Sequence, residues 1–318
     1  MNDVLFLKPA FQTKMWGGQK LRTDFHYDIP SDTTGECWAI SAHPHGPATI
    51  ANGDFSGLTL AELWDQQPKL FGNPSGHVFP LLTKILDAAK ILSVQVHPDD
   101  QYAQEHEHEL GKTECWYVLS AEPGSYLIYG HNARDKAELK GLVNQGQWDQ
   151  LLRKVYVKTG DFFFVPSGTL HAIGSGVVVL ETQQSSDTTY RFYDFDRVDP
   201  ATGKTRELHL QQSIDCTETP FVDQNQTPIT TEYDHASITQ LVDSTHFIVN
   251  KWQTNFGHLT LHHEVAPYTL ASVVDGQGKL KINDQVYSIT KGDHFIIPAT
   301  TDEWTLDGNM TVIASEPK

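Results

Sequence analysis

Two stretches, Thr159–Ile173 (TGDFFFVPSGTLHAI) and Lys291–Leu306 (KGDHFIIPATTDEWTL), decide how this chain reads. Each carries Gly-Asp, an apolar run and a proline at the same spacing, so that Gly160 matches Gly292 and Pro166 matches Pro298 at an offset of 132 residues. Gly-Asp favours a tight turn, the apolar run favours a short strand, and a proline ends that strand because it has no N–H for the ladder. Self-similarity at a fixed offset implies two copies of one β unit.

The flanking sequence agrees. VYVKTGDFFFVPSG, GVVVLETQ, YTLASVVDGQGKLKINDQVYSI and TVIASE are short β-rich runs broken by Gly, Pro and Asn. They predict a mainly β chain with two small barrels, one in residues 1–245 and one in 246–318. Helical spacing is confined to the front half. TLAELWDQQPKLF (Thr59–Phe71) opens on an N-cap residue, and DKAELKGLVNQGQWDQLLRK (Asp135–Lys154) reads as two short helices hinged near Gly146.

Lys and Arg number 23 against 40 Asp and Glu, a formal charge of −17. That balance argues against nucleic acid or an anionic membrane as partner, and an anionic substrate would need a local cationic pocket. Cys37, Cys115 and Cys216 form no CxxC pair, which favours a reducing compartment. With no signal-peptide pattern and no apolar run of about 18 residues, a cytoplasmic protein is expected, as monomer or homodimer.

In ILSVQVHP the residues alternate, placing Ser93, Gln95 and His97 on one face and Leu92, Val94 and Val96 on the other. Polar groups on the inner face of a barrel are costly unless something satisfies them. GKTECWYVLS begins a second strand with Lys112 and Glu114, and His171 lies just past Pro166. Two imidazoles, a carboxylate and an amide oxygen suit a borderline divalent metal such as Zn²⁺. Five residues after Pro298 stands Glu303 rather than a histidine, so the second unit is expected to hold no metal.

Other histidine-rich stretches read as bland. EHEHE (Glu105–Glu109) is a polar loop or helix turn, HPH (His43–His45) a turn made by Pro44 and Gly46, and His262 and His263 face opposite sides of a strand.

FPLLTKILDAAKILSVQVHPDD, LGKTECWYVL, PSGTLHAIGSG and ETQQSSDTTYRFYDFDR, in this order, resemble the type I phosphomannose isomerases in their short bacterial form, as do MWGGQKL and GECWAISAHPHGPATIANGDFSGLTLAELW. The resemblance implies cupin-type jelly-roll barrels, one Zn²⁺ per chain on Gln95, His97, Glu114 and His171, and isomerisation of mannose 6-phosphate and fructose 6-phosphate. It also implies a catalytic role for Arg191, for Lys112 just before the glutamate ligand, and for Glu181.

Moving a carbonyl between C1 and C2 through an enediol needs a base at the carbon-bound proton and positive charge at the developing oxygens. Lys112 and Glu181 are the proton-transfer candidates, and Arg191 the enediolate stabiliser. Ser93 and Arg197 are expected at the phosphate, with an ion pair to Asp196 or Asp199 the alternative for Arg197; Trp16 is expected as a pocket wall or a core residue. Two other readings keep the metal ligands: an Fe²⁺-dependent cupin dioxygenase, and a non-enzymatic sugar-binding cupin.

Overall fold

The computed structural model of the protein describes residues 4–199 and 202–318. Both copies of the repeat fold alike. Gly160 and Gly292 take φ of +90° and +95°, the strands Phe162–Val165 and His294–Ile297 follow, and each stops at its proline. The repeat's aspartates close the same turn: Asp161 accepts from the Lys158 N–H at 2.9 Å and Asp293 from the Thr290 N–H at 2.7 Å. Only glycine takes that φ without a steric penalty.

The architecture is mainly β, as the sequence predicts. A six-stranded sheet (Phe162–Val165, Glu114–Ala121, Val177–Gln184, Leu81–Ala88, Ala10–Gly18, Thr34–Ile40) and a five-stranded sheet (Tyr190–Tyr193, Val94–Val96, His171–Ile173, Tyr126–His131, Leu152–Tyr156) share one core. A nine-stranded sheet encloses a second core around Trp252, Phe295 and Trp304, and Val198–Asp199 pairs with Lys204–Thr205 as a separate two-stranded sheet. Strand pairing runs across residue 245, because Ile229–Tyr233 and Ala236–Asp243 continue into Phe247–Leu261. The N-terminal strand Leu5–Lys8 also pairs with His294–Ile297.

Strict alternation inside apparently uniform strands places the chemistry. In Glu114–Ala121, Trp116 and Val118 enter the core between the sheets, while Cys115 packs on the nine-stranded unit. Val177 and Val179 face inward and Val178 and Leu180 outward in the next strand. Both faces are covered, so both are apolar, and the sequence reads as an unbroken run. Only the occasional inward Glu or Lys reveals the polar cavity.

The helix Leu60–Gln66 starts at a capping box in which the Thr59 hydroxyl accepts from the Glu62 N–H and the Glu62 carboxylate accepts from the Thr59 N–H. A 3₁₀ turn, Pro68–Phe71, completes the expected segment. The second segment forms Lys136–Asn144 and Trp148–Leu151 about Gly146, at φ +63°, but 152–154 belong to a strand instead. Leu152 pairs with His131 there, so sheet pairing overrides the local helical pattern. Leu139, Leu142 and Val143 are buried on the outer face of the five-stranded sheet, each contributing roughly 1.5–3 kcal/mol. The helix Asp100–His106, capped by the Asp99 side chain, starts at the last residue of HPDD and ends within EHEHE.

His294, fully buried, ties the two units together. Tyr27 Oη donates to the Gly292 carbonyl at 2.8 Å and therefore accepts from His294 Nε2, also at 2.8 Å, while His294 Nδ1 accepts from Ser272 Oγ. Burial pushes its pKa down to about 3. The unfolded chain takes up this proton near pH 6.5, so below that pH it binds a proton that the native chain does not, at about 1.4 kcal/mol per pH unit. Between pH 7 and pH 5 the wild type should lose about 2 kcal/mol more stability than His294→Gln in urea unfolding. Equal losses would refute this assignment.

Candidate active site

Antiparallel register assembles the site. Gln95 lies opposite His171 on one side and Arg191 on the other in the five-stranded sheet. In the six-stranded sheet Glu181 lies between Lys84 and Trp116, and directly paired residues share a face. Val94, Val96, Tyr190 and Phe192 point away, into the core beneath the helices. The expected alternation of Ser93, Gln95 and His97 against Val94 and Val96 therefore appears in the fold. Leu92 departs from it, because it precedes the strand and packs in the inner core beside the cavity.

His97, Glu114 and His171 converge, with ligand atoms within 4.8 Å of one another; among the described residues this is the one group of His, Cys, Asp and Glu placed to hold a metal ion. Each imidazole Nε2 stands 3.4 Å from a different Glu114 oxygen, and the Gln95 amide is 3.3 Å from His171 Nε2. His97 Nδ1–H donates to the Thr188 carbonyl at 2.9 Å and His171 Nδ1–H to the Thr169 carbonyl at 2.8 Å. Those bonds fix the tautomer that turns each Nε2 lone pair toward Glu114.

Burial pushes the pKa of His97 well below its usual value, helped by Lys112 and His171, and that of His171 down to about 4. Both rings are therefore neutral, the ligating form. His97 Nε2 and both Glu114 oxygens are buried without a hydrogen-bond partner. Lys112 Nζ, 3.5 Å from Glu114 Oε2, offsets part of the buried charge but leaves these atoms without hydrogen bonds, whereas a divalent cation would satisfy all three at once. A rotation of the Gln95 amide by 180° adds its oxygen as a fourth donor. The residues fit a metal ion.

Beside this group opens a cavity of about 300 Å³ lined by Trp16, Ser93, Gln95, Lys112, Glu181 and Arg191. Of the residues singled out from sequence, these six share the cavity, with the other three metal-ligand candidates buried next to it. Trp16 is at once a cavity wall and a member of the core. Arg197 stands apart: its guanidinium is engaged by Asp194 and the Ile91 carbonyl, and it is not among the lining residues. Arg206 does line the cavity, and its Nε and Nη2 donate to the same Asp194 at 2.8 and 2.7 Å.

Lys14, Glu36, Lys84, Leu86, Asp187 and Thr189 complete the lining and escaped the sequence reading. Lys84 had a visible signal, as the lone cation within LLTKILDA. It lies over the Trp38 ring at 4.4 Å and 3.9 Å from Glu181 Oε1. Burial lowers its pKa, with Lys112 adding to the effect, against Glu36 and Glu181. Burial raises the Glu181 pKa, and Trp116 Nε1–H holds Oε2 at 2.9 Å. For Lys112, burial is outweighed by Glu114 and Glu181, which hold its pKa up. Five cations (Lys14, Lys84, Lys112, Arg191, Arg206) face three carboxylates (Glu36, Glu181, Asp187) across the cavity. A chain of −17 overall thus builds a locally cationic pocket.

Glu303 is exposed and 3.7 Å from His262, while His263 Nδ1 meets the Thr269 hydroxyl. Among the described residues the second unit assembles no comparable group. No described helix is long and apolar enough to cross a membrane.

Comparison with known proteins converges on one family. Residues 4–120 match the phosphomannose isomerase type I catalytic domain and residues 237–317 the mannose-6-phosphate isomerase cupin domain. The chain is 53% identical to mannose-6-phosphate isomerase of Streptococcus mutans, over 99% of this chain and 98% of that one. Against mannose-6-phosphate isomerase ManA of Bacillus subtilis the identity is 49%, over 98% of both chains. The crystal structure of mannose 6-phosphate isomerase from Bacillus subtilis superposes with a TM-score of 0.95 at 47% identity, covering 99% of this chain and 100% of that one. With relatives this similar along its whole length, the chain belongs to the type I phosphomannose isomerase family.

Proposed function

We propose that this chain is a zinc-dependent aldose–ketose isomerase that interconverts mannose 6-phosphate and fructose 6-phosphate through an enediol. The observation that carries the proposal is the His97–Glu114–His171 group, with His97 Nε2 and both Glu114 oxygens left without hydrogen bonds, beside a cationic cavity. Two neutral imidazoles, a carboxylate and an amide oxygen favour zinc among the common divalent ions. A zinc ion held there would supply Lewis-acid polarisation of a sugar oxygen.

The protein's own groups cover the rest of the reaction. An enediol route moves one proton between C1 and C2 and another between the two oxygens, so it uses two acid–base groups. Glu181, with a raised pKa and Oε1 left clear of Trp116, suits one transfer, and Lys112, kept protonated by Glu114 and Glu181, suits proton donation in the other. Arg191 presents a buried Nε with no partner in the protein, a donor available to the developing enediolate. Ser93 and Arg206 line the same cavity and suit the phosphate, Arg206 through the Nη1 edge that lies outside its Nε and Nη2 bonds to Asp194. A dioxygenase would call for a more apolar pocket than five cations and three carboxylates provide.

Turnover of mannose 6-phosphate in D₂O tests the proposal. Fructose 6-phosphate should form and carry solvent deuterium at C1. Failure to form fructose 6-phosphate would remove the isomerase reading, and a product free of deuterium after full equilibration would remove the enediol.

A further inference from the structure

The histidine-rich stretches EHEHE and HPH lie outside the His97–Glu114–His171 group, yet they meet on one loop. Glu109 Oε2 accepts from Ser186 Oγ at 3.0 Å, from Thr188 Oγ1 at 2.8 Å and from the Asp187 N–H at 3.4 Å. Its other oxygen lies 3.7 Å from the buried His43 Nε2, and His45 Nδ1 lies 3.0 Å from Asp187 Oδ2. A single carboxylate oxygen thus gathers three consecutive residues, Ser186, Asp187 and Thr188. Those residues connect the strand Val177–Gln184, which carries Glu181, to the strand Tyr190–Tyr193, which carries Arg191.

The same loop touches the site at three points. The Thr188 carbonyl receives the His97 Nδ1–H at 2.9 Å, and Asp187 and Thr189 line the cavity. Glu109 itself precedes Lys112 and Glu114 on the chain, and the segment is joined to the loop a second time where Thr113 N–H donates to Gln184 Oε1 at 2.9 Å. All three hydrogen bonds that Glu109 accepts come from the loop, and its one further contact is with His43. Burial would raise the Glu109 carboxyl, but hydrogen bonds from Thr188 and Ser186 outweigh it and hold the pKa low, so the charge persists at neutral pH.

We infer that Glu109 is a positioning residue of the metal centre: by holding Ser186–Thr188 it fixes the Thr188 carbonyl, and through it the orientation and tautomer of His97. This rests on the metal-centre reading above. Partners that orient a ligating histidine typically account for about 10- to 100-fold in metal affinity.

The test measures metal binding without substrate. Zn²⁺ affinity is read by competition with a chromophoric chelator for wild type, Glu109→Ala, Glu109→Gln and Glu107→Gln, each checked for cooperative thermal unfolding. Glu107 is the control, because it accepts from Tyr190 Oη at 2.7 Å and has no bond to Ser186–Thr188. Glu109→Ala should bind about 10- to 100-fold more weakly. Glu109→Gln keeps an acceptor for the two hydroxyls and should recover most of that loss, and Glu107→Gln should stay within about threefold of wild type. Wild-type affinity in Glu109→Ala would overturn the inference, as would an equal loss in Glu107→Gln. If wild type itself bound no zinc, the metal-centre reading would fall, an outcome distinct from either.

Discussion

Removal of divalent metal with a strong chelator is expected to abolish isomerisation, lowering kcat/KM for mannose 6-phosphate by at least about 10³-fold. The expectation follows from the protein's own atoms. Glu114 is wholly buried with neither oxygen hydrogen-bonded, and its nearest neighbours, His97, His171 and Lys112, stand 3.4, 3.4 and 3.5 Å away. These contacts supply no hydrogen bond to either Glu114 oxygen and leave room between the groups. Metal-free protein should also melt at a lower temperature, because a ligand that binds only the native state stabilises it in proportion to RT ln(1 + [L]/Kd). Zn²⁺ added back should restore both activity and melting temperature. His97→Ala should lose the metal and behave like the chelated protein even in excess zinc at micromolar concentration. Activity that survived verified metal removal would sink the mechanism.

Arg191→Ala should lower kcat by about 10²- to 10³-fold while retaining the metal. Arg191 pairs with Gln95 across the sheet, so its backbone is held by the same ladder as the ligand strand. Its Nη1–H donates to the Glu207 carbonyl at 2.8 Å, whereas its Nε finds no partner in the protein. Burial lowers its pKa and Arg206 adds to the effect, yet a guanidinium stays charged at neutral pH. A fixed, charged, under-satisfied donor is the kind of group that stabilises charge developing in a transition state. Arg191→Lys should not restore the rate, because an ammonium lacks the planar fork. The contrasting variant is Arg206→Ala, which should raise KM with little change in kcat, the sign of an interaction made equally with ground and transition states. Steady-state kinetics with metal analysis on each variant checks both. Near wild-type turnover by Arg191→Ala would remove it from the catalytic assignment.

Much of this was legible without a structure, for reasons that particular residues make clear. Gly160 and Gly292 announce their turns because φ near +90° is a demand that few residues meet. Gln95, His97 and Ser93 stand out because polar side chains alternate with Val94 and Val96 within one short strand. Arg197 misled because sequence distance from Arg191 says nothing of where a guanidinium turns; Asp194 lies three residues before it and captures it. Lys84 went unremarked because it sits in a strand buried on both faces, where alternation is masked by apolar residues on each side.

The amino-acid sequence by itself determined the repeated β unit, the Gln-x-His and Lys-x-Glu pairs, and the absence of a histidine at residue 303. Those are local properties, set by backbone conformation and by side-chain chemistry at fixed spacing. Only the tertiary structure decided that Arg206 rather than Arg197 faces the cavity, that Lys84 and Glu36 join it, and that Glu109 grips the loop behind His97. These are long-range pairings between residues from 36 to 206, settled by sheet register and by the need to satisfy buried charge.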